Sequence, residues 1–165
     1  MQRKFGGNQV TPMGPIDALQ SVLTNFADFS GRASRAEYWW FVAIWTIAYF
    51  VVLGLQRNRA KWPEYAFIAV SIIPVMSVSF RRLQDIGHPG WWSVVELVLY
   101  CALAAAFAMS LPKVEEGDIE IANPTPMIVT GILTLIATIA IIWHYTLPSE
   151  PGPNEHGPNP HEVTQ

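Results

Sequence analysis

Four long apolar stretches constrain this chain more than any other feature of its sequence. They lie at residues 38–55, 63–80, 91–111 and 126–147. A helix needs about 20 apolar residues to cross the roughly 30 Å of hydrocarbon in a bilayer, and each stretch reaches or approaches that length. The second is the weakest, and we expect Trp62 and Arg81 to anchor its two ends in the interfaces.

A buried helical hairpin in a soluble protein is the competing interpretation for any single stretch, because short apolar runs are ambiguous. It fails for the four together, since a soluble chain of 165 residues could not cover four helices that are apolar on every face. Only 14% of the residues are charged, against roughly 25% in soluble domains. The sequence therefore predicts an all-α, multi-pass membrane protein, a bundle of about four transmembrane helices.

The segments around the transmembrane domain, 30–147, have simpler patterns. Residues 1–15 are predicted to be a flexible N-terminus, and residues 16–29 an amphipathic helix. Its apolar side chains recur at helical spacing, at Ile16, Leu19, Leu23 and Phe26. Its polar side lacks Lys and Arg, which favours docking on the bundle over electrostatic adhesion to lipid. Residues 148–165 are rich in Pro, Gly and Asn and are predicted to be a flexible tail.

Local signals mark the starts of two spans. Ser34 and Glu37 have the spacing of a capping box, in which two side chains reciprocally bond the free N–H groups of a helix start. Four tryptophans stand at span entrances, namely Trp39, Trp40, Trp91 and Trp92. Indole rings favour the membrane–water interface, so we expect these four to act as interface anchors.

Three separated segments resemble a known family. They read FSGRASRAEYWW at 29–40, RRLQDIGHPGWW at 81–92 and PGPNEHGPNP at 151–160. In this order they resemble the domain of unknown function 805 family (DUF805), the YhaH-like bacterial inner-membrane proteins. The resemblance implies helical spans and a place in the bacterial inner (plasma) membrane, and it supplies no established activity or catalytic residue. Gln84 and His88 depart from the family pattern, so no chemistry is expected to depend on a histidine at position 84.

The number of spans sets the topology. Four crossings put both termini on the same side of the membrane, and the resemblance implies that this side is cytoplasmic. Lys and Arg outside the spans divide six to four in favour of the N-terminal side, and the count ties near the spans. Charge alone therefore decides the orientation only weakly.

Four crossings also bring the three family motifs to one polar face. Two interpretations of its arginines stay open: they could form pairs with carboxylates that join the helix ends, or they could bind phosphate oxygens of an anionic lipid or a phosphorylated partner. In the binding hypothesis, Asp85 orients one of the arginines. The residues of the binding hypothesis are Arg32, Arg35, Arg81, Arg82 and Asp85.

Titratable residues inside the spans are few. Glu96 is an acid within a span, where a charge is costly and points to function, but with Ser93 it also fits a helix cap. His144 is interpreted as an interfacial or bundle-facing polar residue. His156 and His161 lack a third ligand in the sequence nearby, so neither a metal site nor a cofactor is expected.

Three classes of function stay open. A membrane-embedded interaction or assembly protein is favoured, because it needs only a stable bundle and a polar face. A small transporter or channel would act as an oligomer, since four short helices barely enclose a pathway. A membrane enzyme on a lipid-linked substrate comes third, because no nucleotide loop, nucleophile elbow or zinc signature is present. Membrane lipids, other membrane proteins or a second copy are the expected partners, and the net charge of −3 argues against nucleic acid.

Overall fold

A computed structural model of the chain describes residues 13–55, 61–111, 113–115, 118–120 and 124–160. These parts form five helices: α1 (Pro15–Thr24), α2 (Arg35–Gly54), α3 (Trp62–Asp85), α4 (Trp92–Ser110) and α5 (Thr125–Thr146). Two short strands, β1 (Lys113–Glu115) and β2 (Asp118–Glu120), pair antiparallel in the connection between α4 and α5. Helices α2 to α5 are long and apolar enough to cross a membrane. The predicted all-α, multi-pass fold class is thus confirmed.

The helix ends follow local chemistry. Helix α1 begins with Pro15 in its first turn, where the side chain of Asp17 accepts the N–H of Gly14 at 3.3 Å. It ends at Thr24, five residues before the predicted end of the amphipathic helix. Helix α2 begins after Ser34, whose hydroxyl accepts a backbone N–H of the first turn.

The largest difference from the predicted spans is at the end of α3. The helix runs through Pro74 and continues to Asp85, whereas its apolar run ends at position 80. The helix stops there because Gly87 adopts a φ of 78°. The N–H of Gly87 donates to the carbonyl of Gln84, and the N–H of His88 donates to the carbonyl of Leu83. This is a Schellman motif, which requires a left-handed residue just beyond the helix.

The described chain divides into two compact units. Unit 1 contains α1, α2, α3 and the segment that begins at Pro148, and unit 2 contains α4, the hairpin and α5. The core of unit 1 draws on α1, the α1–α2 connection, α2 and α3, through Val22, Ala33, Phe41 and Val78. Helix α1 therefore packs on the spans of its own unit.

The spans are mostly uncovered by protein. In unit 2, α4 and α5 pack against each other, yet the most apolar part of α5 contains no buried residue. An apolar surface of this extent is not stable in water, and it suits contact with lipid or with another membrane protein. The exposed side chains thus agree with the hydropathy of the helices.

Candidate functional site

A network of buried arginines and carboxylates lies in unit 1, where α3 ends and α2 begins. We call it the polar network, and it consists of Arg32, Glu37, Arg81, Arg82 and Asp85. The backbone brings the two helix ends together, since the N–H of Ala33 donates to the carbonyl of Arg81 at 3.1 Å. Charged side chains are seldom buried unless they are paired, so the partners of each arginine decide what it can do.

Asp85 is the centre of the polar network. Its Oδ1 accepts from Nε of Arg32 at 2.9 Å, and its Oδ2 accepts from Nη1 of Arg82 and from the hydroxyl of Ser149. The side chains of Asp85 and Arg82 are fully buried. One carboxylate therefore binds two guanidinium groups, whereas the sequence hypothesis gave it one.

Arg32 uses its remaining donors on the C-terminal segment. Its Nη1 donates to the carbonyl of Gly152 at 2.7 Å, and its Nη2 donates to the carbonyls of Glu150 at 2.6 Å and of Asp85 at 3.3 Å. This one side chain joins the first family motif to the second and the third. Arg32 acts here as an internal link, and each of its three guanidinium nitrogens donates within the protein.

The C-terminal segment, predicted to be a flexible tail at 148–165, makes several hydrogen bonds to the end of α3. In its described part, the N–H of Glu150 donates to the carbonyl of Asp85 at 2.8 Å. The amide of Asn154 donates to the carbonyl of Gln84 at 3.0 Å and to the Glu150 carboxylate at 2.8 Å. These hydrogen bonds connect the described part of the segment to the end of α3.

Glu37 and Arg81 form the second ion pair of the polar network, at 2.8 Å between Oε1 and Nη1. The hydroxyl of Ser21 on α1 donates to the same carboxylate oxygen at 3.0 Å. Ser34 accepts the N–H of Glu37 at 3.1 Å, which is one half of the predicted capping box. The carboxylate of Glu37 is directed to α1 and α3, so this residue links three helices.

Two donors of Arg81 have no partner among the described residues. Its Nε and Nη2 are buried and make no hydrogen bond there, although Nη1 is paired. These two nitrogens lie on the same edge of the guanidinium group. That edge is the fork with which arginine binds carboxylate or phosphate oxygens through two parallel hydrogen bonds.

Arg35 is the exposed arginine among the predicted binding residues. It makes no ion pair or hydrogen bond with the part of the chain that the structure describes, and its charge acts unfavourably on that of Arg82. The four predicted arginines face two buried carboxylates, those of Glu37 and Asp85. Arg35 adds an exposed positive charge that pairs with no carboxylate of the described residues.

Asp28 is a further acid at this end, and it is exposed. Its Oδ1 accepts both the hydroxyl of Ser30 at 2.7 Å and the backbone N–H of Ser30 at 3.0 Å. These hydrogen bonds, the hydroxyl first, lower the pKa of Asp28 below its usual value, and the charge of Arg81 adds to the effect. Asp28 thus stays ionised near the arginines at neutral pH.

Unit 2 contains a second polar contact. Nδ1 of His144 on α5 lies 2.6 Å from Oε1 of Glu96 on α4, and the other carboxylate oxygen of Glu96 is buried with no hydrogen-bond partner in the described chain. The sequence singled out both residues, but periodicity did not show that their helix faces meet. Glu96 pairs across two helices, which a helix-capping role alone does not explain.

The predicted interface tryptophans differ in their surroundings. Trp40 of unit 1, like Trp91 and Trp92 of unit 2, is exposed. Trp39 is half-buried, and its indole N–H is buried without a partner among the described residues. The exposed rings are available to a membrane interface, whereas Trp39 packs edge-on against Tyr38, with ring centroids 5.3 Å apart.

Of the two tail histidines, only His156 lies in the described chain. His156 contacts the carboxylate of its neighbour Glu155 at 3.3 Å. His161 lies outside the described residues. Within those residues, no group of three or more His, Cys, Asp or Glu side chains could bind a metal ion.

Comparisons with known proteins identify the family of the chain. The family described as "Protein of unknown function (DUF805)" matches residues 26–158. The chain is 32% identical over 91 residues to the inner membrane protein YhaH of Escherichia coli K12, which covers 50% of this chain and 74% of YhaH. It is 33% identical over 81 residues to the inner membrane protein YhaI, covering 47% and 69% of the two chains. It is 28% identical over 113 residues to the uncharacterized protein YiiR, covering 67% and 77%. YhaI and YiiR also come from Escherichia coli K12.

No solved structure matches the chain. Two relatives are named inner membrane proteins, and four helices of this chain can span a bilayer, so this is a membrane protein. The family match covers most of the sequence and includes the first two motifs and residues 151–158 of the third. The chain belongs to the DUF805 family.

Proposed function

We propose that this protein is a membrane-embedded interaction protein whose polar face binds the phosphate of an anionic lipid headgroup. The observation that carries the proposal is the free edge of Arg81, whose Nε and Nη2 are buried without a partner in the described chain. Buried donors without an acceptor destabilise a fold. A phosphate that accepts both hydrogen bonds would remove this cost and add a charge-assisted interaction.

The contacts reduce the candidate binding residues from five to two, Arg81 and Arg35. Arg32 and Arg82 donate to Asp85, so these three residues hold the helix ends and the C-terminal segment together. Arg81 retains an edge for a ligand, and Arg35 adds an exposed positive charge. Because protein atoms cover the edge of Arg81, we expect Arg35 to make the first contact and a side-chain movement to follow.

The positions of Arg35 and Arg81 suit the binding of a lipid headgroup. Arg35 begins α2, and Arg81 lies in the last turns of α3, so both arginines lie at an end of a span. Basic pockets at the cytoplasmic ends of transmembrane helices recognise anionic headgroups. We place the polar network on the cytoplasmic side of the bacterial inner membrane, because the family motifs and the weak excess of basic residues favour it.

A titration with lipids tests the proposal. The protein is purified in an uncharged detergent, and its thermal unfolding is followed with short-chain phosphatidylglycerol or with phosphatidylcholine of the same chain length. A ligand that binds the folded state raises the unfolding temperature, so we expect a rise with phosphatidylglycerol and little with phosphatidylcholine. Separate titrations with inorganic phosphate and with a phosphoserine peptide distinguish a lipid from other sources of phosphate.

Two variants give the titration its control. Arg35→Gln removes an exposed charge of the polar face and should reduce the effect of phosphatidylglycerol. Lys61→Gln removes an exposed charge at the opposite end of α3 and should leave the effect unchanged. Equal responses of the wild-type protein to both lipids would contradict the proposal, as would an unchanged response in Arg35→Gln.

A small transporter that acts as an oligomer is the second candidate, and the contact between Glu96 and His144 favours it. Ionisable residues within spans mark the pathways of protons and ions in many transporters. Glu96→Gln in proteoliposomes separates the two functions: a transporter should lose proton or substrate flux, whereas an interaction protein should retain its lipid binding. Identical flux in wild-type and variant proteoliposomes would remove this candidate.

A further inference from the structure

Helix α1 has three chemically different sides. One side is buried in unit 1, where Ala18 and Val22 are fully covered. A second is apolar and uncovered, because Ile16 is 77% exposed and Leu23 is 57% exposed. The third is polar and exposed, with Asp17, Gln20 and Thr24. At 3.6 residues per turn the three sets occupy separate sectors around the helix axis.

This pattern differs from that of an ordinary surface helix. An amphipathic helix on a soluble protein has an apolar side toward the core and a polar side toward water. Helix α1 presents an additional apolar side, which Phe26 extends just beyond the helix end with 51% of its surface exposed. Three sides suit a helix that contacts protein, hydrocarbon and water at once, as at a membrane interface.

Hydrogen bonds place α1 beside the spans of unit 1. The hydroxyl of Ser77 on α3 donates to the carbonyls of Asn25 at 2.9 Å and of Asp28 at 2.6 Å. Ser77 lies eight residues before the end of α3 at Asp85, which is about 12 Å along a helix axis. The end of α1 therefore lies alongside the apolar part of α3. Helix α1 also packs on α2, which is itself a candidate span.

We propose that α1 lies in the membrane interface, in the leaflet that contains the start of α2, with Ile16, Leu23 and Phe26 inserted among the lipid acyl chains. Asp17, Gln20 and Thr24 then face the headgroups and water. The uncovered apolar side of α1 is an interaction surface for lipid. This role does not depend on the binding of an anion by Arg81. The buried side of α1 thus contacts the spans of unit 1, and its uncovered apolar side contacts lipid.

Spin labels at single cysteines test this position in the full chain. The native Cys101, which is exposed on α4, is replaced by Ala, and a cysteine is introduced at Leu23 or, as the matched control, at Gln20. Each labelled protein is reconstituted in nanodiscs. Electron paramagnetic resonance then measures collisions of the label with oxygen, which concentrates in hydrocarbon, and with a water-soluble nickel chelate.

We expect the label at position 23 to collide several-fold more with oxygen than with the chelate, and the label at position 20 to show the reverse preference. Wild-type protein labelled at Cys101 gives the reference for a span position. A preference for the chelate at position 23 would show that the stripe faces water. Protection from both reagents there would show that protein covers it, a second copy or another segment. Either result would overturn the proposal, and thermal unfolding of each labelled variant verifies that it is folded.

Discussion

Arg32 and Asp85 are 53 residues apart in the chain, and they meet in an ion pair of 2.9 Å with side chains that are 1% and 0% exposed. Arg32 also donates to the carbonyls of Glu150 and Gly152, and Asp85 also binds Arg82. The three segments that identify the family thus form one hydrogen-bonded structure at one end of unit 1.

Replacement of Asp85 by Asn should strongly destabilise the protein. The variant leaves Arg32 and Arg82 buried without their counter-charge, and loss of one partner of a buried ion pair reduces the free energy of unfolding by about 3–5 kcal/mol. Equilibrium unfolding in mixed detergent measures the change. Asp28→Asn, at an exposed acid of the same unit, is the control and should have a much smaller effect. Equal effects of the two variants would contradict a central role for Asp85.

Gly90 should tolerate no side chain. A Cβ at this position would lie 2.6 Å from Cδ1 of Phe80 and 3.2 Å from Nε2 of Gln84, so Gly90→Ala forces the ring or the backbone to move. We expect a loss of about 1–3 kcal/mol in the free energy of unfolding. Gly54→Ala at the end of α2, where a Cβ meets no atom within 4 Å, should be neutral or slightly stabilising. Similar losses in both variants would refute the close approach at Gly90.

Acid should remove a stabilising contribution of Asp28. Because hydrogen bonds from Ser30 lower the pKa of this carboxyl below 3.8 in the folded protein, the contribution is fully present above the unfolded-state pKa. It is lost as the pH falls through the folded-state pKa. The wild-type protein should therefore lose more stability than Asp28→Asn between about pH 6 and pH 2. Parallel losses in the two proteins would contradict the shift.

Glu96 and His144 should contribute jointly to the pairing of α4 with α5. In a double-mutant cycle of Glu96→Gln and His144→Gln, we expect a coupling free energy of about 0.5–3 kcal/mol, because the side chains are in contact. A second cycle that combines Glu96→Gln with Thr134→Val is the control and should show no coupling. The hydroxyl of Thr134 donates to the carbonyl of Thr130 in its own helix at 2.8 Å. Additive effects of the Glu96 and His144 variants would show that the contact contributes nothing.

The four-span topology predicts the positions of reporter fusions. Fusions at Gln56 and Glu116, between successive spans, should score as periplasmic, and a fusion at Gln165 should score as cytoplasmic. Alkaline phosphatase and green fluorescent protein report the two sides, since each is active on one of them. If the two ends of the chain lie on opposite sides, the four-span topology is wrong.

The sequence predicted the spans well because membrane thickness fixes the length of an apolar helix, and length is read directly from the chain. Helix α3 is the exception. Its last turn contains Arg81, Arg82 and Asp85, which hydropathy assigned to a loop, because pairing of these charges within unit 1 is not visible in a one-dimensional pattern. The Gly87 signal for a helix end was present in the sequence, and it could have corrected the boundary.

The sequence indicated that the arginines and Asp85 lie on one face, but it did not indicate their contacts. The arginines and Asp85 were identified because the order of spans brings their motifs together. Which arginine binds which carboxylate depends on side-chain directions, so the roles of Glu37 and of the carbonyls of Glu150 and Gly152 were missed. Hydrogen bonds of the C-terminal segment use backbone groups, which every residue has and no residue type signals.

The lipid content of the purified protein tests the central claim, that the polar face binds an anionic headgroup through Arg81 and Arg35. Native mass spectrometry compares the wild-type protein with Arg81→Lys, Arg35→Gln and the control Lys61→Gln after extraction from membranes. Lysine keeps a charge near Glu37 but lacks the two-pronged edge. We expect Arg81→Lys and Arg35→Gln to stay folded and to lose bound anionic lipid, while Lys61→Gln retains it. Equal amounts of anionic lipid on all four folded proteins would contradict a binding role for Arg81 and Arg35.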